Sequence, residues 1–264
     1  MSRRLAEVFA QTRSTNRAAL IGYLPAGFPT ADASVELMNA MIDSGVDAIE
    51  VGLPYSDPLM DGADIQFAVA HALSGGTTTE VVLDVVGRLD GDRAAILVMS
   101  YWNPIERYGV ERFATRLKAA GGNGVITPDL TWEEAGPWLA ATAGAIDTIF
   151  LVAPSSTDDR IKTVVKKTSG FVYAASTMGV TGARSEVGAG AQGLVARCRL
   201  ATKLPIAVGL GVSTGSQAHE VAAYADGVIV GSAFVRCIRA APDLPAAISA
   251  VRALAGELAE GVKR

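Results

Sequence analysis

Short apolar runs alternate with longer amphipathic stretches along the whole chain. The apolar runs, rich in β-branched residues, fall at 19–24, 48–51, 95–99, 124–126, 148–152, 171–174, 206–208 and 227–230. They are close to continuously apolar, the pattern of strands covered on both faces in a parallel sheet. Helix-period stretches lie between them at 31–44, 79–89, 110–120, 132–143, 158–168, 191–202, 216–224 and 245–258. Thr30-Ala31-Asp32 and the run from Ser155 to Asp159 are helix-start signals, and Gly45 and Gly121-Gly122 are helix stops. Eight such strand–helix units predict an α/β protein with a (β/α)8 barrel as one domain over 1–264. Two additions are expected: an N-terminal helix with Leu5, Val8 and Phe9 on one side, and an inserted helix near 64–76 after the second strand. A doubly wound open sheet uses the same alternation. However, Leu24-Pro25-Ala26-Gly27 stands where its glycine fingerprint would follow the first strand.

The composition narrows the function classes. Half of the 264 residues are hydrophobic and 19% are charged, which suits a large core and argues against disorder. The net charge is −4 with no basic block, which disfavours a nucleic-acid partner. Cys198 and Cys237 lack ligand-like spacing, so two reduced thiols in a cytoplasmic protein are expected. His71 and His219 lie in helical segments and read as surface or capping residues rather than metal ligands. The charged N-terminus has no apolar core of the secretory type. No apolar run approaches the ~20 residues of a membrane helix.

The segment 47–62, DAIEVGLPYSDPLMDG, carries the first candidate chemistry. Glu50 sits in a predicted buried strand, and the Gly/Pro-rich loop after it carries Asp61. A buried carboxylate is costly unless something pairs with it. Two acids at a strand mouth suit general acid–base work. The competing reading makes Glu50 a satisfied core acid and Asp57 and Asp61 ordinary turn residues. Two loops are longer than a barrel needs, 52–62 and 176–190, and loops of that kind are usually functional. Three glycine clusters follow the last three predicted strands: Gly179-Val180-Thr181-Gly182, Gly209-Leu210-Gly211 and Gly231-Ser232. Backbone N–H groups at such places, with a helix start at 233, can cradle a phosphate. Each cluster alone also reads as a plain turn. Arg184 lies near enough in sequence to assist. Tyr23, Tyr101, Ile126, Leu151 and Tyr173, all near strand ends, are candidate walls for an apolar substrate body or simple barrel filler.

With these residues in place, the chain resembles the α-subunit family of tryptophan synthase. The match runs through the 47–62 segment, SYWNP at 100–104, ITPDL at 126–130, IFLVAPSST at 149–157, STMGVTGAR at 176–184, VGLGVS at 208–213 and DGVIVGSA at 226–233. The resemblance implies a lyase that cleaves indole-3-glycerol phosphate to indole and glyceraldehyde 3-phosphate with no cofactor of its own. It implies Glu50 for the proton transfers and Asp61 at the indole N–H. It also implies that Thr181 closes its loop over the site and orients Asp61, that Gly182, Gly211, Gly231 and Ser232 hold phosphate, and that Tyr23, Tyr101 and Tyr173 border the substrate. A pyridoxal-phosphate β subunit is the implied partner, in an α2β2 heterotetramer, with the apolar loop 54–60 as a contact surface. Tyr23, Thr131, Thr177 and Met178 depart from common family residues and bear on the pocket and the loops. Another phosphosugar barrel and a purely regulatory barrel stay open as alternatives. A Schiff-base aldolase is disfavoured, because all six lysines lie in helical or terminal segments.

Overall fold

The computed structural model describes residues 3–175, 189–209 and 211–264. Among these, nine strands are all paired in parallel in one sheet: β1 (Ala19–Pro25), β2 (Ala48–Gly52), β3 (Ala95–Met99), β4 (Gly124–Ile126), β5 (Asp147–Ile149), β6 (Leu151–Val152), β7 (Val172–Ala175), β8 (Ile206–Gly209) and β9 (Gly227–Val230). The spatial order is β5-β4-β3-β2-β1-β9-β8-β7-β6. The two ends of that order, β5 and β6, are halves of one stave, interrupted only at Phe150. The sheet therefore curls into a barrel of eight staves, and the open-sheet alternative falls away. The predicted strand boundaries agree with the observed ones to within a residue, apart from this interruption.

Helices cover the outside and the bottom: α1 (Arg3–Ser14), α2 (Ala31–Asp43), α3 (Ala63–Ser74), α4 (Thr79–Gly87), α5 (Trp102–Tyr108), α6 (Val110–Ala119), α7 (Gly136–Thr142), α8 (Asp158–Lys167), α9 (Ala189–Ala201), α10 (Gly215–Ala222), α11 (Ser232–Ala240) and α12 (Leu244–Gly261). Their starts follow sequence chemistry. The hydroxyls of Thr30 and Thr157 accept from Ala33 N–H at 3.1 Å and Arg160 N–H at 3.2 Å, satisfying donors that a helix start leaves orphaned. Gly45, at φ +104°, ends the segment after α2 in the left-handed region that favours glycine. Two expectations are corrected. The helix expected over 132–143 is only α7, because 131–134 is a turn closed by Glu134 N–H on Thr131 O and Pro137 sits in the first turn of the helix. The helix α5 was not anticipated.

The core has two compartments. The larger lies between the barrel and its helices. The smaller fills the barrel interior with Ala19, Ile21, Ala48, Ala95, Leu97, Ile126, Ile149, Phe171, Ala207 and Ile229. Leu5, Val8 and Phe9 of α1 join it, so the N-terminal helix plugs the bottom of the barrel with the face foreseen from sequence. Phe9 and Phe171 lie 5.7 Å apart and Phe171 and Tyr173 6.5 Å, an aromatic column rising from the plug toward the mouth. At the bottom, Asp47 takes both guanidinium nitrogens of Arg17, at 2.6 and 2.7 Å, and the N–H of Leu20 at 2.8 Å. This pins β1 to β2 below the site.

Candidate active site

Strands show alternate residues to opposite faces. Ala48 lines the barrel interior, so Glu50, two residues on, points into the same space nearer the mouth. The register pairs Glu50 with Tyr23 on one side and Leu97 on the other. Glu50 is fully buried, and neither carboxylate oxygen has a hydrogen-bond partner among the described residues. Burial alone pushes its carboxyl up to about 8. The reading of Glu50 as a satisfied core acid finds no support: among the described residues no group pairs with it. An acid held in this way is protonated at neutral pH and poised to donate.

Asp61 stands at the end of the loop that leaves β2, just before α3. The loop is held by Tyr101, whose hydroxyl accepts from Met60 N–H at 2.9 Å and donates to the Asp61 carboxylate. Burial pushes Asp61 up to about 6, and the Tyr101 hydroxyl works in the opposite direction. Tyr101 is itself pushed up to about 12, chiefly by burial, so it stays a donor. Its ring lies 5.5 Å from that of Tyr55 in the same loop. The next residue, Trp102, opens α5 with its N–H on both oxygens of Asp129, at 2.9 and 3.1 Å. Asp129 thus ties the loop after β4 to the one after β3. No role for it was read from sequence, although its ITPDL segment was noted there.

The two acids therefore differ. Glu50 is enclosed and neutral near pH 7, whereas Asp61 is less enclosed, hydrogen-bonded and ionised. Different surroundings of this kind assign different proton-transfer tasks to paired carboxyls.

Three aromatic wall candidates meet at the mouth. Tyr23 and Tyr173 have their phenols held well above the usual range, first by burial and then by negative charge near them, from Asp61 and Glu50 for Tyr23 and from Glu50 for Tyr173. Tyr101 joins them from the loop. Leu151 packs at the upper rim of the interior, but Ile126 is completely enclosed and acts as filler rather than wall. Glycines make room for the tyrosines. A Cβ on Gly52 would stand 2.5 Å from Tyr23 Oη, and one on Gly209 would stand 2.6 Å from Tyr173 Oη.

On the far side of the mouth, Gly231 is the N-cap of α11 and Ser232, nearly buried, is its first residue. The free N–H groups of that first turn make it a place for an anion. Gly211, at φ +67°, holds a conformation that L side chains rarely adopt. Gly231 and Gly211 follow neighbouring strands, β9 and β8. Thr181, Gly182, Arg184, Thr177 and Met178 lie outside the described residues. Among the described residues no cluster of His, Cys, Asp and Glu suits a metal, and no helix is long and apolar enough to cross a membrane. His71 and His219 bind the carbonyls of Pro29 and Lys263 at 3.0 Å each.

The whole-chain comparisons agree with this geometry. The model of the family described as tryptophan synthase alpha chain matches residues 9–263. The tryptophan synthase alpha chain of Thermobifida fusca is 56% identical over 258 residues, 96% of each chain. A chain of Mycobacterium tuberculosis tryptophan synthase superposes with a TM-score of 0.93 at 52% identity, covering 100% of both chains. The alpha chain from Legionella pneumophila superposes at 0.89 with 29% identity, over 99% of this chain and 97% of its own. A barrel that carries two unlike acids at its mouth, matched end to end by these relatives, belongs to the tryptophan synthase alpha chain family and serves as the alpha-subunit lyase of tryptophan biosynthesis.

Proposed function

We propose that the chain, acting as one domain over 1–264, cleaves indole-3-glycerol phosphate to indole and glyceraldehyde 3-phosphate, with Glu50 and Asp61 as the catalytic pair. The observation that carries this reading is the contrast between the two acids. Protonated Glu50 delivers its proton to indole C3, which turns the ring into a cation that can accept electrons. Asp61, ionised on its loop, takes the hydrogen bond of the indole N–H and offsets that positive charge. Glu50, now a carboxylate, removes the proton of the hydroxyl on the carbon next to the ring. The electrons of that O–H bond form the aldehyde carbonyl, the C–C bond breaks, and its electrons restore the indole. Glu50 ends protonated, as it began, so the proton count closes without an external acid or base.

Tyr23, Tyr101 and Tyr173 would border the indole. Gly211, Gly231 and Ser232 would hold the phosphate through backbone N–H groups and the serine hydroxyl, with Thr181 and Gly182 contributing from their loop. A Schiff-base route finds no support: Lys118, Lys162, Lys166 and Lys167 lie on outer helices, and Lys203 and Lys263 follow helix ends away from the strand mouths. Every step above is a proton transfer or bond cleavage by this chain's own groups. Pyridoxal phosphate is assigned to the partner β subunit of an α2β2 assembly, where it supplies the chemistry that consumes indole. Leu59, 79% exposed on the loop after β2, fits an apolar contact with that partner. A cytoplasmic location follows from this biosynthetic role.

The test is release of indole from indole-3-glycerol phosphate, with and without a tryptophan synthase β subunit. Release that rises sharply with the β subunit supports the proposal, and fast release alone marks a stand-alone lyase. No release in either condition, with glycerol phosphate still bound, overturns it in favour of another phosphosugar substrate or a regulatory barrel.

A further inference from the structure

Asp61 and the phosphate end of the site stand at the starts of two helices that touch. The loop after β2 ends at Asp61 and runs directly into α3, while α11 starts from Gly231 and Ser232 directly after β9. Both helices therefore begin at the barrel mouth, and they pack against each other. Each turns an apolar stripe inward, Ile65, Ala68 and Val69 on α3 and Phe234, Val235 and Ile238 on α11. The residues that reach across between them lie beside those stripes and are charged or aromatic.

Arg236 Nη1 on α11 donates to Asp64 Oδ2 on α3 at 3.1 Å. Three residues further along each helix, the guanidinium of Arg239 lies 4.1 Å over the ring of Phe67. Contacts that advance together along both segments mean that the helices run side by side in the same direction, so the two contacts act as one clamp. The charges also suit the helix ends, with Asp64 in the first turn of α3 and Arg239 in the last turn of α11. The helix α3 in turn grips the acid. Gln66 Nε2 donates to the backbone carbonyl of Asp61 at 2.7 Å, and Gln66 N–H donates to that of Gly62 at 2.9 Å. Asp61 is thus tied through α3 and Asp64 to Arg236, one turn along α11 from Ser232.

We propose that Asp64 and Arg236 are positioning residues: their ion pair transmits the seating of phosphate on α11 through α3 to Asp61, so that the acid is held in place when the phosphate end is filled. The pair performs no step of the reaction. It sets how efficiently this chain brings the two ends of its site into register. The inference rests on the assignment of Asp61 to the indole end and of the α11 start to the phosphate.

The first test is amide hydrogen exchange, read by NMR at Met60 and Gln66 with and without glycerol phosphate. In the parent, glycerol phosphate should slow exchange at both amides. In Arg236→Gln it should bind and leave them unchanged, and in Arg236→Lys, which keeps the charge, the slowing should return. The second test is turnover. A partly exposed ion pair is worth up to about five-fold in an equilibrium, so Arg236→Gln should lower kcat about 2- to 5-fold with KM near the parental value. Asp64→Asn should lose as much, and the double variant no more than either single one, because the two residues act as a unit. No slowing in the parent, equal slowing in the parent and Arg236→Gln, or losses of kcat that simply add overturns the proposal and leaves the pair a surface contact between helices. The exchange measurement needs no cleavage, which separates this failure from failure of the assigned reaction: slowing in the parent without release of indole keeps the link and removes the reaction. Equal Tm values for the parent and Arg236→Gln exclude a folding defect as the cause of any change.

Discussion

The Tyr101 hydroxyl holds two consecutive residues of the loop after β2: it accepts from Met60 N–H at 2.9 Å and donates to the carboxylate of Asp61. One side chain therefore holds the path of the loop and favours the ionised form of the acid at its end against the effect of burial.

Removing that hydroxyl should show in the pH dependence of turnover. Asp61 must be ionised to offset the cation on indole, so activity falls as pH drops through about 6. The bond from Tyr101 favours the ionised form, and Tyr101→Phe should move the acid limb up by about one pH unit and lower kcat. An acid limb that stays where it is in the Tyr101→Phe variant would detach Tyr101 from Asp61.

Glu50→Gln should abolish most turnover, about 10²–10⁴-fold, while stabilising the fold. The carboxyl titrates near 4.5 when unfolded and at about 8 in the native barrel. Between those values the native state holds a proton that the unfolded state has released, so stability falls as pH rises through this window and levels off above it. The amide of glutamine does not titrate. The variant should thus match the parent below pH 4 and exceed it at pH 8 by on the order of a few kcal/mol, an upper figure given local relaxation. Urea unfolding at the two pH values measures the difference. Equal curves at pH 8 would mean that Glu50 finds solvent or a partner.

Gly52→Ala should cost stability and activity together. The added methyl would overlap the Tyr23 ring, with contacts of 2.5 Å to Oη and 2.8 Å to Cε2 and Cζ. Overpacking of this kind costs about 1–3 kcal/mol. Tyr23 borders the proposed substrate space, so the displaced ring should also raise KM by more than the loss of folded protein explains. A variant with parental stability and KM would remove Tyr23 from the substrate border.

Gly211→Val should weaken binding at the phosphate end. At φ +67° a β-branched residue is strained, and its side chain would obstruct backbone approach to an anion. The affinity for glycerol phosphate, measured by calorimetry, should drop while the binding of indole itself is spared. Unchanged affinity would remove Gly211 from the phosphate site.

The barrel itself was legible in the sequence. Parallel strands covered on both faces need continuous apolar runs, and such runs at 19–24, 48–51 and 95–99 became β1, β2 and β3 almost residue for residue. Helix starts at Thr30 and Thr157 were readable because capping is local chemistry between a hydroxyl and an N–H three residues on. The short helix α5 was not readable: WNPIERY has little periodicity, and its N-terminus is held by Asp129 from another loop. The break at Phe150 was hidden for the same reason, since it divides the fifth stave between its pairing with β4 and its pairing with β7 and depends on closure.

The sequence determined which residues form strands, which acids stand at their ends, and where glycine leaves the backbone open, because these follow from hydrophobic period and local backbone freedom. Only the tertiary structure decided what each acid experiences. Enclosure by the barrel leaves Glu50 without a hydrogen-bond partner among the described residues and keeps it neutral. A tyrosine forty residues along the chain from Asp61 favours the ionised form of that acid against the effect of burial, and two glycines from separate staves leave room for the ring of Tyr23. Electrostatic environment and close packing depend on atoms that are distant in sequence, so they exist only once the barrel has closed.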